Sequence, residues 1–236
     1  MRRGERRREY LKALGIELWV PRDAVARGTV APGDAEPDEP APSPTSGVAA
    51  GLDWDALEAR VRACTACALA ETRTQTVFGV GDRRARWMFV GEAPGAEEDR
   101  QGLPFVGRAG QLLTAMVRAL GLARDQVYIA NILKCRPPGN RDPRPEEVTC
   151  CEGYLARQIE LIGPGIIVAL GRIAAQNLLK IEAPLKALRG RRHVCGAAAT
   201  PVVVTYHPAY LLRNPVDKRR AWEDLQLARA TLEGTV

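Results

Sequence analysis

Four apolar runs, at residues 87–90, 127–133, 166–170 and 202–206, alternate with amphipathic helical stretches, and this alternation constrains the fold more than any other feature of the chain. The helical patterns fall at residues 109–120, 145–162, 172–179 and 217–232, with Gly121 and Gly163 as stops. Strands separated by helices pair in parallel through right-handed crossovers, and a parallel sheet has to be covered on both faces. The expectation is therefore an α/β fold: a three-layer α/β/α sandwich around a central, mainly parallel four-stranded sheet, occupying residues 51–236. In such sheets ligands sit beyond the carboxyl ends of the strands. Here those ends are polar. The first strand runs into GEAPG (Gly91 to Gly95), the second carries Asn131 and leads to KCRPPGNR, the third stops at Gly171, and the fourth delivers His207 in HPAYLLR.

Residues 29–50 hold five prolines, four acids and no base, a composition that buries too little apolar surface to offset ordering, so they read as a disordered linker. The linker sets off a short N-terminal element, residues 1–28, whose segment REYLKALGIELWVPRD has an apolar side formed by Leu11, Leu14, Ile16 and Trp19. No apolar run reaches the ~18 residues of a spanning helix, and the basic start MRRGERRREY has no apolar stretch behind it to make a signal peptide. A cytoplasmic location without a membrane partner is expected. The formal charge of +6 suits a polyanionic partner such as DNA.

In a reducing compartment six cysteines are a poor disulfide framework, which makes their spacing informative. Cys64 and Cys67 form a C-x2-C pair that can point two thiolates at one centre, while Cys135, Cys150 and Cys151 must be brought in by the fold. Zinc and a four-iron cluster accept the same four thiolates, and spacing leaves both open.

From Cys64 through GEAPG, LPFVGRAGQLL, NILKCRPPGNRDP and TYHPAYLLR, the chain resembles family 4 uracil-DNA glycosylase in motif order, content and spacing, over nearly all of residues 57–232. The resemblance implies an enzyme that flips uracil out of single- or double-stranded DNA and hydrolyses its N-glycosidic bond, without a lyase step, as no lysine stands obviously in the pocket motifs. It implies a [4Fe-4S] cluster on Cys64, Cys67, Cys135 and Cys151, with Cys150 and Cys195 as ordinary thiols. The cluster's implied role is architectural: it pins the loop that carries Arg136 and Arg141. By the same resemblance uracil meets Gly91, Glu92, Ala93, Phe105, Asn131 and His207. His207 would stabilise negative charge on O2, Phe105 would stack on the base, and Asn131 would accept from N3–H and donate to O4, a pattern that cytosine inverts.

Related families carry an aspartate for water where this chain has Ala93, which implies either that Glu92 or Glu98 partly replaces it as a catalytic group or that bond breaking is so dissociative that water needs little activation. Tyr210, Leu211 and Leu212 are wedge candidates for the gap left in the duplex, with Arg213, Arg136 and Arg141 on phosphate and Arg108 and Arg189 to Arg192 as further cations. Two other readings stand beside this one: a noncatalytic nucleic-acid-binding protein with a structural metal, and a covalent uracil-trapping relative, against which Ala93 and the lack of a histidine between Asn131 and Cys151 both speak. The N-terminal element separately resembles the start of the bacterial clamp-loader psi subunit, implying a replication-machinery partner for residues 1–28. The protein is expected to be a monomer.

Overall fold

The computed structural model describes residues 49–235, so the N-terminal element and the linker up to residue 48 lie outside the described residues. In chain order the elements are α1 (Trp54–Arg62), α2 (Leu69–Thr72), β1 (Val80–Gly81), β2 (Trp87–Gly91), α3 (Ala96–Gln101), α4 (Arg108–Ala119), β3 (Tyr128–Asn131) and α5 (Pro145–Ile162). They continue with β4 (Ile166–Leu170), α6 (Arg172–Leu179), α7 (Leu185–Leu188), β5 (Arg192–Cys195), β6 (Thr200–Thr205), α8 (Pro208–Arg213) and α9 (Lys218–Glu233). The four long helices and the four apolar strands expected from the sequence are all present, within about two residues at most ends.

The sheet has six strands rather than four, in the order β1-β3-β2-β4-β6-β5. Its four central strands are parallel, and the two additions pair antiparallel at the edges. Both edge strands lack the apolar run that marks a covered strand. Strand β1 is two residues long, and β5 reads Arg-His-Val-Cys with Val194 62% exposed.

Every residue of β2, β3 and β4 is buried, and alternation along them feeds two separate cores. Met88, Val90, Ile167, Ala169, Val202 and Val204 face a layer that includes Leu57 and Val61 of α1, Tyr154 and Leu155 of α5, and Ala174 of α6. Phe89, Ile129, Ile166, Val168 and Val203 face Leu113 and Val117 of α4 and Leu225 and Ala228 of α9. The three-layer sandwich follows from that division. Local signals set the helix ends: Asp53 caps α1 by accepting from the Ala56 N–H at 2.9 Å, and Pro145 opens α5, which stops at Gly163 in the left-handed region.

Candidate active site

In the parallel ladder Gly91 is the register partner of Asn131, and Leu170 that of Thr205. The turn after β2, the end of β3 and His207, two residues past β6, therefore open on one edge of the sheet. A cleft of about 430 Å³ lies there, and its lining includes Glu92, Ala93, Glu98, Phe105, Asn131, Arg141, His207 and Arg213. Gly91 lets two of these lining side chains stand where they do: a Cβ there would come within 2.5 Å of Asn131 Oδ1 and 2.6 Å of Phe105 Cζ.

Asn131 is 2% exposed, and its Oδ1 has no hydrogen-bond partner among the described residues. A buried carbonyl oxygen without a donor costs about 1–3 kcal/mol, so one kept beside a cleft is placed for a ligand N–H. His207 caps α8, its Nδ1 accepting from the Ala209 N–H at 3.1 Å, which leaves the proton of the neutral ring on Nε2. Burial pulls its pKa down to about 4, with Arg213 adding to the shift and Glu98 opposing it, so the imidazole is neutral at pH 7. Its ring lies 5.6 Å from that of Phe105 at a 34° tilt.

The two glutamates differ. Burial pushes Glu92 up to about 7, with Asp142 raising it further and Arg172 opposing; Arg172 itself pairs with Asp142 at 3.2 Å. Glu98 is engaged with backbone: its Oε1 accepts from the N–H groups of Val106 at 3.0 Å and Gly107 at 3.2 Å, bracing the loop ahead of α4. A carboxylate held that way fits a positioning role better than the catalytic one expected of it.

The expected DNA contacts divide on burial. Leu211 is 1% exposed and packs in the core beneath α8, whereas Leu212 is 38% exposed and Arg213 is exposed at the mouth of the cleft. As a wedge, Leu211 has to be given up, because one step along a helix turns a side chain by about 100° and here that step separates core from solvent. Tyr210 is half-buried, donates its O–H to Asp217 Oδ2 at 2.8 Å and stacks on Tyr206 with centroids 5.1 Å apart. Arg141 forks onto Glu147, with Nη1 at 2.9 Å from Oε2, and Arg136 donates to Asn140 Oδ1 at 2.7 Å. Arg189 is taken up by the buried carboxylate of Asp224 at 2.7 Å and is not available as a surface cation.

In the core between the sheet and α1 and α5, Cys64, Cys67, Cys135, Cys150 and Cys151 line one small cavity with Arg73, Lys134 and Tyr154. Arg73 donates to Cys135 Sγ at 3.1 Å and the Lys134 backbone N–H to Cys151 Sγ at 3.2 Å. Burial raises the thiols of Cys67 and Cys135, and that of Cys151 to about 12. Among the described residues no group of three or more His, Cys, Asp or Glu is drawn close enough to hold a single metal ion. Cys195, on β5, does not line this cavity.

Sequence reading missed Lys134, Asp142, Arg172 and Arg124. Lys134 is 1% exposed, and its Nζ donates to the Asn131 carbonyl at 3.0 Å and to Gln158 Oε1 at 2.6 Å. A lysine directly after an apolar strand run was the available signal. For the other three there was none, since each acts through a neighbour remote in the chain.

The residues from 78 to 226 match the model of the uracil DNA glycosylase superfamily. A type-4 uracil-DNA glycosylase of Archaeoglobus fulgidus is 47% identical over 167 residues, covering 68% of this chain and 84% of that protein. One from Thermotoga maritima is 44% identical over 185 residues, 74% of this chain and 92% of the relative. A type-5 uracil-DNA glycosylase of Pyrobaculum aerophilum is 38% identical over 149 residues, 57% of this chain and 66% of its own length.

Proposed function

This chain belongs to the uracil-DNA glycosylase superfamily, and we propose that the cleft beyond β2, β3 and β6 is where it takes up a flipped uracil and cuts the bond to the sugar. It is a hydrolase of N-glycosidic bonds that removes uracil in DNA repair. The observation that carries the assignment of the cleft is the orphaned Oδ1 of Asn131. Uracil offers N3–H as the missing donor, whereas cytosine offers a lone pair at the same place and would leave two acceptors facing each other in a buried site. The residue types around it agree. Phe105 supplies an aromatic wall, and Gly91 leaves the room that the Asn131 and Phe105 side chains occupy beside the cleft.

Departure of the base places negative charge on uracil, and a neutral His207 with its proton on Nε2 is arranged to donate to O2 as that charge grows. Neutrality matters because the donor then serves at any pH well above 4. Glu92, half-buried in the cleft lining with a pKa raised to about 7, is the group suited to orient and deprotonate water, in the place where Ala93 supplies no carboxylate. Lys134 is spent on two internal acceptors and does not line the cleft, which agrees with hydrolysis without a Schiff base.

Cys64, Cys67, Cys135 and Cys151 are the residues that would hold a [4Fe-4S] cluster, and the gathering of these four thiols, with Cys150, around one cavity fits that group. When bound, it supplies a crosslink joining the segment after α1 to the end of β3 and to α5. Purified protein should absorb broadly near 400 nm and carry about four irons per chain; one zinc and no colour in anaerobic preparations would overturn the cluster. DNA contacts fall to Leu212 as wedge and Arg213 on phosphate. A monomer suffices for all of this, and a replication-machinery partner for residues 1–28 would be tested by deleting them in a pull-down. For the cleft the decisive assay is release of free uracil from a single-uracil oligonucleotide by wild type, His207→Ala and Asn131→Ala. Tight DNA binding without release in the wild type would favour the noncatalytic reading instead.

A further inference from the structure

Phe105 sits in the left-handed region at φ 54, a conformation that a bulky L-residue adopts only when its surroundings impose it. The restraint is visible at both of its peptide groups. Arg124, nineteen residues on in the turn before β3, points one guanidinium nitrogen at two consecutive carbonyls, 2.7 Å from Pro104 O and 3.1 Å from Phe105 O. Its other terminal nitrogen donates to Thr114 Oγ1 at 3.0 Å, and Thr114 in turn donates to Gly110 O at 3.0 Å, so α4 orients the guanidinium. From the opposite side Glu98 accepts the N–H groups of Val106 and Gly107. Behind the Phe105 carbonyl, α4 comes so close at Gly110 that a Cβ would stand 1.7 Å from the oxygen. The loop is thus held by a cation on its carbonyls, an anion on its N–H groups and a helix backbone with no side chain between.

We infer that Arg124 is a positioning residue of the glycosylase: it fixes the Phe105 ring as the wall of the uracil cleft without touching the base. Arg124 is absent from the cleft lining and instead borders an open depression with Val80, Asp82 and Arg118, so its influence must pass through the loop. The inference rests on reading the cleft as the uracil site. A stacking wall contributes to the bound base before and during bond cleavage alike, so its misplacement falls chiefly on KM.

The test is a double-mutant cycle on uracil release from a single-uracil oligonucleotide, with hydrogen exchange of the 103–108 amides measured alongside. Arg124→Met is expected to raise KM roughly tenfold with kcat changed less than about threefold. In a Phe105→Ala background the same change should add less than about twofold, because the ring it positions is gone. Thr114→Val, which removes the hydroxyl that orients the guanidinium, should move KM the same way by a smaller factor and serves if Arg124→Met folds poorly. Faster exchange of the loop amides in Arg124→Met is expected whether or not the chain releases uracil. Equal losses in both backgrounds, unchanged KM, or unchanged exchange would overturn the role of Arg124. Failure of the wild type to release uracil would instead overturn the reading of the cleft.

Discussion

The cleft lies beyond the carboxyl ends of the strands and the cysteine cavity in the core between the sheet and α1 and α5, and their polar atoms are treated in opposite ways. Asn131 and Lys134, three residues apart on the same strand end, show the contrast. The Lys134 ammonium is buried with two acceptors, while the Asn131 amide oxygen is buried with no donor. Satisfied polar burial fixes architecture, and unsatisfied polar burial is what a binding site looks like before its ligand arrives. The difference implies that the cysteine side can be damaged only at the cost of the fold, and the cleft only at the cost of the reaction.

The largest expected effect is on the cysteine side. Cys135→Ser should cost nearly all bound iron and several kcal/mol of stability, read by iron assay and a thermal melt; a variant that kept its melt without iron would erase the contrast. Next, His207→Ala should slow base release by about 10²–10³-fold with its melt at pH 8 close to wild type. The folded-state pKa of His207, about 4, lies below its ordinary 6.5, so its stabilising contribution is present above pH 6.5 and lost as pH falls toward 4; the alanine variant should lose less stability over that window. Asn131→Ala should lower kcat/KM by about 10–100-fold while leaving the melting temperature equal or higher, because it removes an orphaned acceptor. Lys134→Met sharpens the comparison from the middle: it should destabilise by about 3 kcal/mol, measured in urea, since it strands two buried acceptors. Smallest is the pH effect of Glu92. In the proposed role of base Glu92 acts ionised, so kcat/KM should climb with pH up to about 7 and level off above, and Glu92→Gln should flatten that climb.

The cleft was legible because its residues stand at or just past strand ends, where topology alone predicts convergence: Gly91 and Asn131 close their strands, His207 follows β6, and the fold brings them together. The central sheet and its long helices were legible for the related reason that fully covered strands must be apolar throughout. Edge strands obey no such rule, and Arg192 to Cys195 carried no pattern to read. Leu211 and Arg189 went astray for a common cause. Each is a residue whose chemistry suits the site but whose surroundings, the core under α8 or Asp224, are settled by tertiary packing. Lys134 shows the limit from the other direction, since its acceptor Gln158 lies twenty-four residues away on α5.

The pairing of Gly91 with Asn131 on one rung of the ladder carries a consequence for how this enzyme can change and how it can fail. A slip of a single residue between β2 and β3 would exchange the amide for Ala130 or Ile132, whose side chains belong to the other face. On the proposed role of Asn131, selectivity for the base is written in sheet alignment, and insertions should be tolerated only where they leave that alignment untouched. Heating should erode recognition in one cooperative step, together with strand pairing, and not by gradual loosening of the grip.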